Sequence, residues 1–151
     1  QQKIVIVGEG PLEKELKQKV TRLGLANVHF AGYLPDSQKM ALIELCRALV
    51  LPCNLRSEAF GVCLLEGAMK GKPLISAEVE TGTSFVNLDS ETGIVVPPEN
   101  AQLLAEAMNR LAADPVEAKR LGKNARARFE SVFTSKQMAD AYLEEYEQLL
   151  G

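Results

Sequence analysis

Two hydrophobic periodicities alternate along the chain. Continuous apolar runs, typical of buried parallel strands, alternate with segments whose apolar residues recur every three or four positions, as on one face of a helix. The first unit shows the pattern, since the β-branched run Ile4 to Val7 is followed by Leu12, Leu16 and Val20 at helical spacing. The pattern therefore predicts a fully buried strand followed by an amphipathic helix.

The same alternation continues to the end of the sequence. It predicts four further strands, at Val28 to Phe30, Ala48 to Leu51, Leu74 to Ser76 and Ile94 to Val96. It also predicts five further helices: one capped by Pro35-Asp36-Ser37, Phe60 to Met69, one capped by Asn100, Val116 to Glu130, and Ser135 to Leu150. Because parallel neighbours need crossover connections, this order predicts an α/β domain with one parallel sheet. In such sheets ligands bind beyond the carboxyl ends of the strands.

Composition narrows the class of protein. The 151 residues are 46% hydrophobic and carry a formal net charge of −3, with no basic run that could follow a phosphate backbone. We therefore expect no nucleic-acid partner. The three cysteines are odd in number and lack Cys-x2-Cys spacing, which favours a reducing cytoplasm and predicts no metal site. The sequence enters an apolar run directly after Gln1-Gln2-Lys3, which indicates a fragment of a longer polypeptide.

A glycine-rich turn follows the first strand. Gly8-Glu9-Gly10 between a strand and a helix is compatible with a dinucleotide-binding fingerprint. The third glycine of that fingerprint is replaced by the charged Glu13, and no acidic residue ends the second strand. A turn that approaches a ligand is therefore the better interpretation than a nicotinamide site.

The segment from Arg56 to Ala68 carries the most informative chemistry. Gly61 near the start of the predicted helix would let an anion reach the first-turn N–H groups. Glu58 and Glu66 lie about two turns, roughly 12 Å, apart on a continuous helix, so they would address different parts of one elongated ligand. In the alternative structural interpretation, Glu58 complements the helix dipole and Glu66 is solvated. The apolar neighbours of Glu66 instead favour a buried, ligand-paired carboxylate.

The Glu58-to-Glu66 spacing resembles the Glu-x7-Glu motif of the family-four retaining glycosyltransferases. These enzymes use nucleotide sugars and have the GT-B architecture of two facing Rossmann-like domains. Further stretches resemble the second domain of that family in the same order: Val5 to Leu12, Phe30 to Leu34, Leu51-Pro52, Gly71 to Ile75 and Glu91 to Pro98. The resemblance implies a Rossmann-like parallel sheet flanked by helices. It also implies that residues 1–151 form the donor-binding domain of a longer chain, whose N-terminal acceptor domain is absent.

The resemblance assigns roles around the Glu-x7-Glu motif. Glu58 would be the catalytic residue and would contact hydroxyls of the donor sugar. Phe60, Gly61 and Val62 would offer main-chain N–H groups to the sugar and the phosphate. Glu66 would hold the ribose hydroxyls.

The remaining donor-binding positions lie on other loops. By resemblance, Gly8 and Gly10 would line the cleft beside the diphosphate, and Tyr33 and Leu34 would flank the base. Arg56 is the basic residue of the motif segment that we expect to approach a phosphate. The family's Arg and Lys that grip the diphosphate precede the first residue of this chain, so the isolated domain is expected to be inactive.

The implied activity is that of a retaining hexosyltransferase. It would move mannose or a similar hexose from a GDP- or UDP-linked donor to a glycan or lipid-linked acceptor, with no cofactor and no divalent metal. Thr81-Gly82-Thr83-Ser84-Phe85 replaces the Gly-Gly-x-x-Glu of many relatives and resembles branches that build bacterial surface polysaccharides. The expected location is the cytoplasm, at the inner membrane surface through the absent domain. In two-domain transferases of this type the last helix returns toward the first domain, so its apolar face should lie partly away from the sheet.

Two alternatives of other classes remain. The chain could be a nucleotide-sugar binding module without catalysis, against which the retained Glu58 and Glu66 argue. It could also belong to a GT-B-type nucleotide-sugar epimerase. That reaction needs acid and base groups that a single histidine, His29, hardly supplies.

Overall fold

The structure, a computed structural model, describes residues 2–150 and confirms the α/β alternation. Its strands are Ile4–Val7 (β1), Val28–Gly32 (β2), Leu49–Leu51 (β3), Leu74–Ala77 (β4) and Gly93–Val96 (β5). Its helices are Glu13–Arg22 (α1), Asp36–Leu45 (α2), Val62–Met69 (α3), Thr83–Val86 (α4), Ala101–Ala113 (α5), Pro115–Val132 (α6) and Ser135–Leu150 (α7). All predicted elements are present, with small shifts at their ends. The single turn of α4 is too short to show a helical period, so the hydrophobic pattern does not predict it.

The strands form two parallel sheets where the sequence predicts one. β1 pairs with β2, and β3, β4 and β5 form a second sheet with β4 at its centre. The chain divides accordingly into two compact units, one ending at Leu42 and the other beginning at Ile43. Periodicity identifies strands but not their partners, because pairing between distant segments depends on packing.

In the first unit β1 is less buried than its apolar run predicts. Ile4 and Ile6 are half-buried, but Val5 and Val7 are 42% and 39% exposed. The expectation of a fully buried strand is wrong for this unit, because a two-stranded sheet offers each strand few neighbours.

In the second unit the central strand β4 is buried along its whole length. Successive side chains of a strand point to opposite faces, so Leu74 and Ile75 belong to two different hydrophobic clusters. Ile75 packs with residues of β5, α5 and α6: Val96, Ala107, Leu111, Ala118 and Leu121. Leu74 packs with residues of α3, α4 and α6: Leu64, Ala68, Val86 and Ala125. Helices therefore cover both faces of this sheet, as parallel sheets require.

A buried polar network joins α4 to the sheet. Asn87, directly after α4, donates from Nδ2 to Ser76 Oγ on β4 at 2.8 Å. Thr92 donates its hydroxyl to Asn87 Oδ1 at 3.0 Å and accepts from the N–H of Leu88 at 2.8 Å. Ser76, Asn87 and Thr92 have 2% exposure or less, so these bonds avoid the cost of unsatisfied buried polar groups.

The helix ends agree with the sequence signals. Asn100 accepts from the N–H of Leu103 at 2.9 Å and caps α5, as predicted. Asp114 accepts from the N–H groups of Val116 and Glu117 and caps α6, whose first residue is Pro115.

The last helix presents its apolar face to solvent. The side chains of Tyr142, Leu143, Tyr146 and Leu149 on α7 are 58–80% exposed, which confirms the expectation that this face lies partly away from the sheet. In the part of the chain that the structure describes, no helix is both long and apolar enough to cross a bilayer.

The packing of α6 against the turn after α3 allows a stability test. A β-carbon on Gly122 would overlap the carbonyl oxygen of Gly71 and lie 3.2 Å from Pro73 Cδ. We expect Gly122→Ala to lower the free energy of unfolding by about 1–3 kcal/mol, because overpacking here outweighs the better helix propensity of alanine. Urea denaturation measures the change. Gly10→Ala is the control, since nothing lies within 4 Å of its β-carbon, and equal stability of the two variants would contradict this account.

Candidate functional site

The helix α3 begins at a glycine that no other residue can replace without strain. Gly61 has φ 78°, in the left-handed region, and is buried. A β-carbon built there would lie 2.8 Å from Leu64 Cδ1 and 3.3 Å from Leu51 Cδ2. Backbone conformation and lack of space therefore both require glycine, which brings the loop after β3 against the first turn of α3.

The carboxylate of Glu58 lies at this N-terminal end. Its Oε1 accepts a 2.9 Å hydrogen bond from the main-chain N–H of Gly61, and the residue is half-buried. The positive end of the helix dipole favours a negative charge at this point. The structure thus places Glu58 just outside the first turn, as expected, while its contact with a donor sugar remains a prediction.

The neighbouring residues of the motif differ in what they offer a ligand. The N–H of Gly61 is engaged by Glu58, and the N–H of Leu64 donates to Gly61 O at 2.8 Å. Val62 is the first helical residue, so its N–H has no partner within the helix. The side chains of Phe60 and Val62 are 37% and 64% exposed.

Glu66 is half-buried, so the expectation of a buried carboxylate is wrong. The buried face of α3 consists of Leu64, Gly67 and Ala68, at the i, i+3 and i+4 spacing of one helical face. Glu66 lies two positions from Leu64, on the other side of the helix. Its neighbours in the sequence are apolar, but Leu64, Gly67 and Ala68 among them belong to the buried face.

Cys63 lies within the field of both carboxylates. Burial raises the pKa of its thiol to about 11, with further increases from the negative charges of Glu58, Glu66 and Cys53. The thiol is therefore protonated at neutral pH. The charges of both glutamates therefore act on one side chain of α3. The helix begins after Glu58, so it is not continuous between the two glutamates.

A second loop holds the first one in place. After β4, the hydroxyl of Thr81 donates to the main-chain carbonyl of Glu58 at 2.8 Å, and the N–H of Gly82 donates to Ala59 O at 2.8 Å. A β-carbon on Gly82 would lie 2.5 Å from Phe60 Cδ2. No pattern in the sequence predicts these contacts, apart from the departure from the family motif at positions 81–85.

The charged side chains on these loops interact with one another. Arg56 forms a 2.6 Å ion pair with Glu80, and the two side chains are 68% and 81% exposed. Such a pair contributes about 0–1 kcal/mol, so a phosphate could replace Glu80 at small cost. Glu78, which sequence analysis missed, accepts from the hydroxyl of Ser84 and the N–H of Glu80. Among residues 2–150 there is no group of three or more His, Cys, Asp or Glu side chains that could hold a metal ion.

Four predicted positions lie in the first unit, at the carboxyl ends of β1 and β2. The N–H of Gly8, which has φ 116°, donates to Gly32 O at 2.8 Å. Tyr33 is 73% exposed, and its N–H approaches Glu9 Oε1 at 3.4 Å. Gly10 and Leu34 lie on the same two loops. The other six predicted positions, namely Arg56, Glu58, Phe60, Gly61, Val62 and Glu66, lie in the second unit.

Comparison with known proteins identifies the family of this chain. Residues 1–128 match the family model described as glycosyl transferases group 1. The chain is 51% identical over 147 residues to the O-antigen chain mannosyltransferase C of Escherichia coli, covering 97% of this chain and 40% of that protein. It is 52% identical over 132 residues to the D-rhamnosyltransferase WbpZ of Pseudomonas aeruginosa, covering 87% of this chain and 35% of that protein. The chain thus spans less than half the length of these relatives.

The fold has solved counterparts. The structure of Anabaena Alr3699/HepE in complex with UDP-glucose superposes with a TM-score of 0.85 at 26% identity, covering 97% of this chain and 41% of that one. The α/β fold and the resemblance to GT-B glycosyltransferases predicted from the sequence are thereby confirmed. Because the family model matches 128 of the 151 residues, the chain belongs to the glycosyl transferases of group 1.

Proposed function

We propose that this chain is the donor-binding domain of a retaining glycosyltransferase that uses a nucleotide sugar to build a bacterial surface polysaccharide. The transferred hexose is mannose or a related sugar such as D-rhamnose. Identities of 51% and 52% to a mannosyltransferase and a D-rhamnosyltransferase support this choice. The acceptor, a glycan or a lipid-linked glycan, binds to an N-terminal domain of a longer protein, and the reaction takes place in the cytoplasm at the inner membrane surface.

The observation that carries the proposal is the position of Glu58 at the start of α3. Its carboxylate is oriented by the N–H of Gly61, and Cys63 and Glu66 follow on the next turns of the same helix. A sugar hydroxyl contacts Glu58, and the ribose hydroxyls contact Glu66. Residues just before α3 and on α3 itself thus contact two separated parts of the donor, the transferred sugar and the ribose.

Transfer requires stabilisation of the charge that develops on the leaving diphosphate. The N–H groups of Val62 and Cys63 have no partner within the helix, and the helix dipole adds a partial positive charge at the same end. Arg56 turns from Glu80 to a phosphate oxygen. Preorganised donors of this kind stabilise the transition state without a divalent metal.

The positions of the first unit keep the roles that the resemblance implies. Gly8 and Gly10 are backbone positions beside the diphosphate, and Tyr33 and Leu34 flank the base. The base is guanine or uracil. The bound UDP-glucose of the Anabaena protein supports a nucleoside diphosphate sugar as the class of donor.

Product analysis on the full-length protein tests the proposed activity. We expect transfer of a hexose from GDP-mannose, or another GDP- or UDP-linked sugar, to a lipid-linked glycan acceptor, with retention of the anomeric configuration and without loss of rate in EDTA. Mass spectrometry of the product detects the transferred hexose, and NMR gives its anomeric configuration. The rate is compared with and without EDTA. Epimerised nucleotide sugar without transfer, or binding without turnover, would contradict the proposal and favour one of the two alternative functions.

Substitution of the two glutamates separates their roles. Glu66→Gln should weaken binding of the nucleoside diphosphate and of the nucleotide sugar alike by about 1.5–3 kcal/mol, because each loses charge-assisted hydrogen bonds to ribose. Glu58→Gln keeps an oxygen that accepts from Gly61, so nucleotide affinity should change less than about twofold while kcat falls sharply. Calorimetry and steady-state kinetics of the full-length enzyme make the comparison.

Glu106→Gln is the matched control, since Glu106 is an exposed helical carboxylate of the second unit, on α5. It should leave affinity and turnover unchanged. Equal loss of nucleotide affinity in Glu58→Gln and Glu66→Gln, or no loss in Glu66→Gln, would contradict the division of roles.

A further inference from the structure

Glu58 is held at two points by different parts of the second unit. Its carboxylate accepts from the N–H of Gly61 on its own loop, at 2.9 Å. Its main-chain carbonyl accepts from the hydroxyl of Thr81, 23 residues further along the chain, at 2.8 Å. The first bond orients the side chain, and the second fixes the main chain from which that side chain extends.

The Thr81 contact is part of a close fit between the two loops. Thr83 is fully buried, and its hydroxyl lies 3.3 Å from that of Thr81. Because the proton of Thr81 goes to Glu58, the hydroxyl of Thr83 donates to Thr81. The N–H of Gly82 donates to the carbonyl of Ala59 beside it. Thr81 and Gly82 thus bond directly to the loop that carries Glu58, and Thr83 supports the hydroxyl of Thr81.

The helix α4, which follows Thr81 in the chain, is held against α6. A terminal nitrogen of Arg128 donates to the carbonyl of Phe85 at 2.6 Å, and the guanidinium lies 5.1 Å from the Phe85 ring centre and 5.4 Å from that of Phe133. The Phe133 ring also packs edge-to-face on Phe60, at 6.2 Å between ring centres. The helix α4, which follows Thr81, is therefore connected both to α6 and to the ring of Phe60.

We propose that Thr81 is a positioning residue for sugar transfer, whose hydroxyl holds the main chain of Glu58 so that the carboxylate faces the reacting sugar. This inference rests on the proposed function. The inference deepens the proposed function, because it assigns a role to the loop after β4. In this role Thr81 acts through its hydrogen bond to Glu58.

The proposal separates turnover from nucleotide binding. Glu66 extends from α3, whereas Thr81 bonds to the main chain of Glu58 outside that helix, so we expect loss of the Thr81 hydroxyl to leave the ribose contact in place. The displaced Glu58 carboxylate, in contrast, loses its alignment with the sugar, and a misplacement of about 1 Å costs roughly 100-fold in rate.

The test compares Thr81→Val, which removes the hydroxyl at nearly constant volume, with Thr81→Ser, which keeps it, in the full-length enzyme. We expect Thr81→Val to lower kcat roughly 10- to 100-fold while KM for the nucleotide sugar changes less than about twofold. Thr81→Ser should recover kcat to within about threefold of wild type, since the hydrogen bond is retained. Thr21→Val is the matched control, because the hydroxyl of Thr21 also donates to a main-chain carbonyl, that of Lys17 at 3.1 Å, but on α1.

The thiol of Cys63 gives a second readout that does not need activity. Burial raises the pKa of that thiol most and the charge of Glu58 raises it further, so displacement of Glu58 in Thr81→Val lowers the pKa and speeds alkylation of Cys63 at pH 9 by at least about twofold. Thr81→Ser should alkylate at the wild-type rate. Alkylation of Cys46, measured in the same proteolytic digest, is the internal control. The main influences on the pKa of Cys46 are burial and the charge of Lys72, and not Glu58.

The outcomes separate this inference from the proposed function. Normal transfer by the wild type with unchanged kcat in Thr81→Val overturns the inference alone, as does a Thr81→Ser enzyme as slow as Thr81→Val. A Thr81→Val enzyme that loses nucleotide affinity and kcat in parallel, with Cys63 alkylated at the wild-type rate, also overturns it, because Thr81 would then be merely structural. A wild-type protein that transfers no sugar contradicts the proposed function itself and the inference with it.

Discussion

The candidate site depends on the absence of a side chain at Gly61. The left-handed turn at this residue brings the loop after β3 against Leu64 and Thr83, and it points the Gly61 N–H at the carboxylate of Glu58. Any β-carbon would need a conformation that other residues rarely adopt and would displace buried side chains. One residue thus determines where α3 begins and where its neighbouring carboxylate lies.

The rigidity of the site comes from the strand behind it. β4 is buried along its length and contributes to both hydrophobic clusters of the second unit. Its exit loop carries Thr81 and Gly82 to the Glu58 loop, and the network around Asn87 fixes α4 to β4 and β5. Loops that follow parallel strands at their carboxyl ends therefore meet where ligands bind in such sheets.

The sequence predicts the local features of this structure well. The β-branched runs predicted the strands, Asn100 predicted a helix cap, and Gly61 and Glu58 were expected near the start of a helix. These predictions succeed because each signal acts over only a few residues. The α/β class followed from the order of the strands and helices, and the Rossmann-like sheet was implied by the resemblance to the family.

Features that depend on distant contacts could not be predicted. Glu66 has apolar neighbours in the sequence, but the 100° step between helical residues turns it away from the face of Leu64. Strand pairing into two sheets depends on packing, and the bond from Thr81 to Glu58 spans 23 positions that no periodicity connects. The end of α4 is joined to β4 by the bond from Asn87 to Ser76, a partner that is visible only in the folded chain.

The central claim is that Glu66 on α3 and Glu58 just before it bind two separated parts of a nucleotide sugar, the ribose and the transferred sugar. A crystal structure of the full-length enzyme with its intact donor measures this most directly. The account predicts ribose oxygens within about 3 Å of the Glu66 carboxylate and a sugar hydroxyl within the same distance of Glu58. A donor whose ribose and sugar both lie away from these two carboxylates would contradict it.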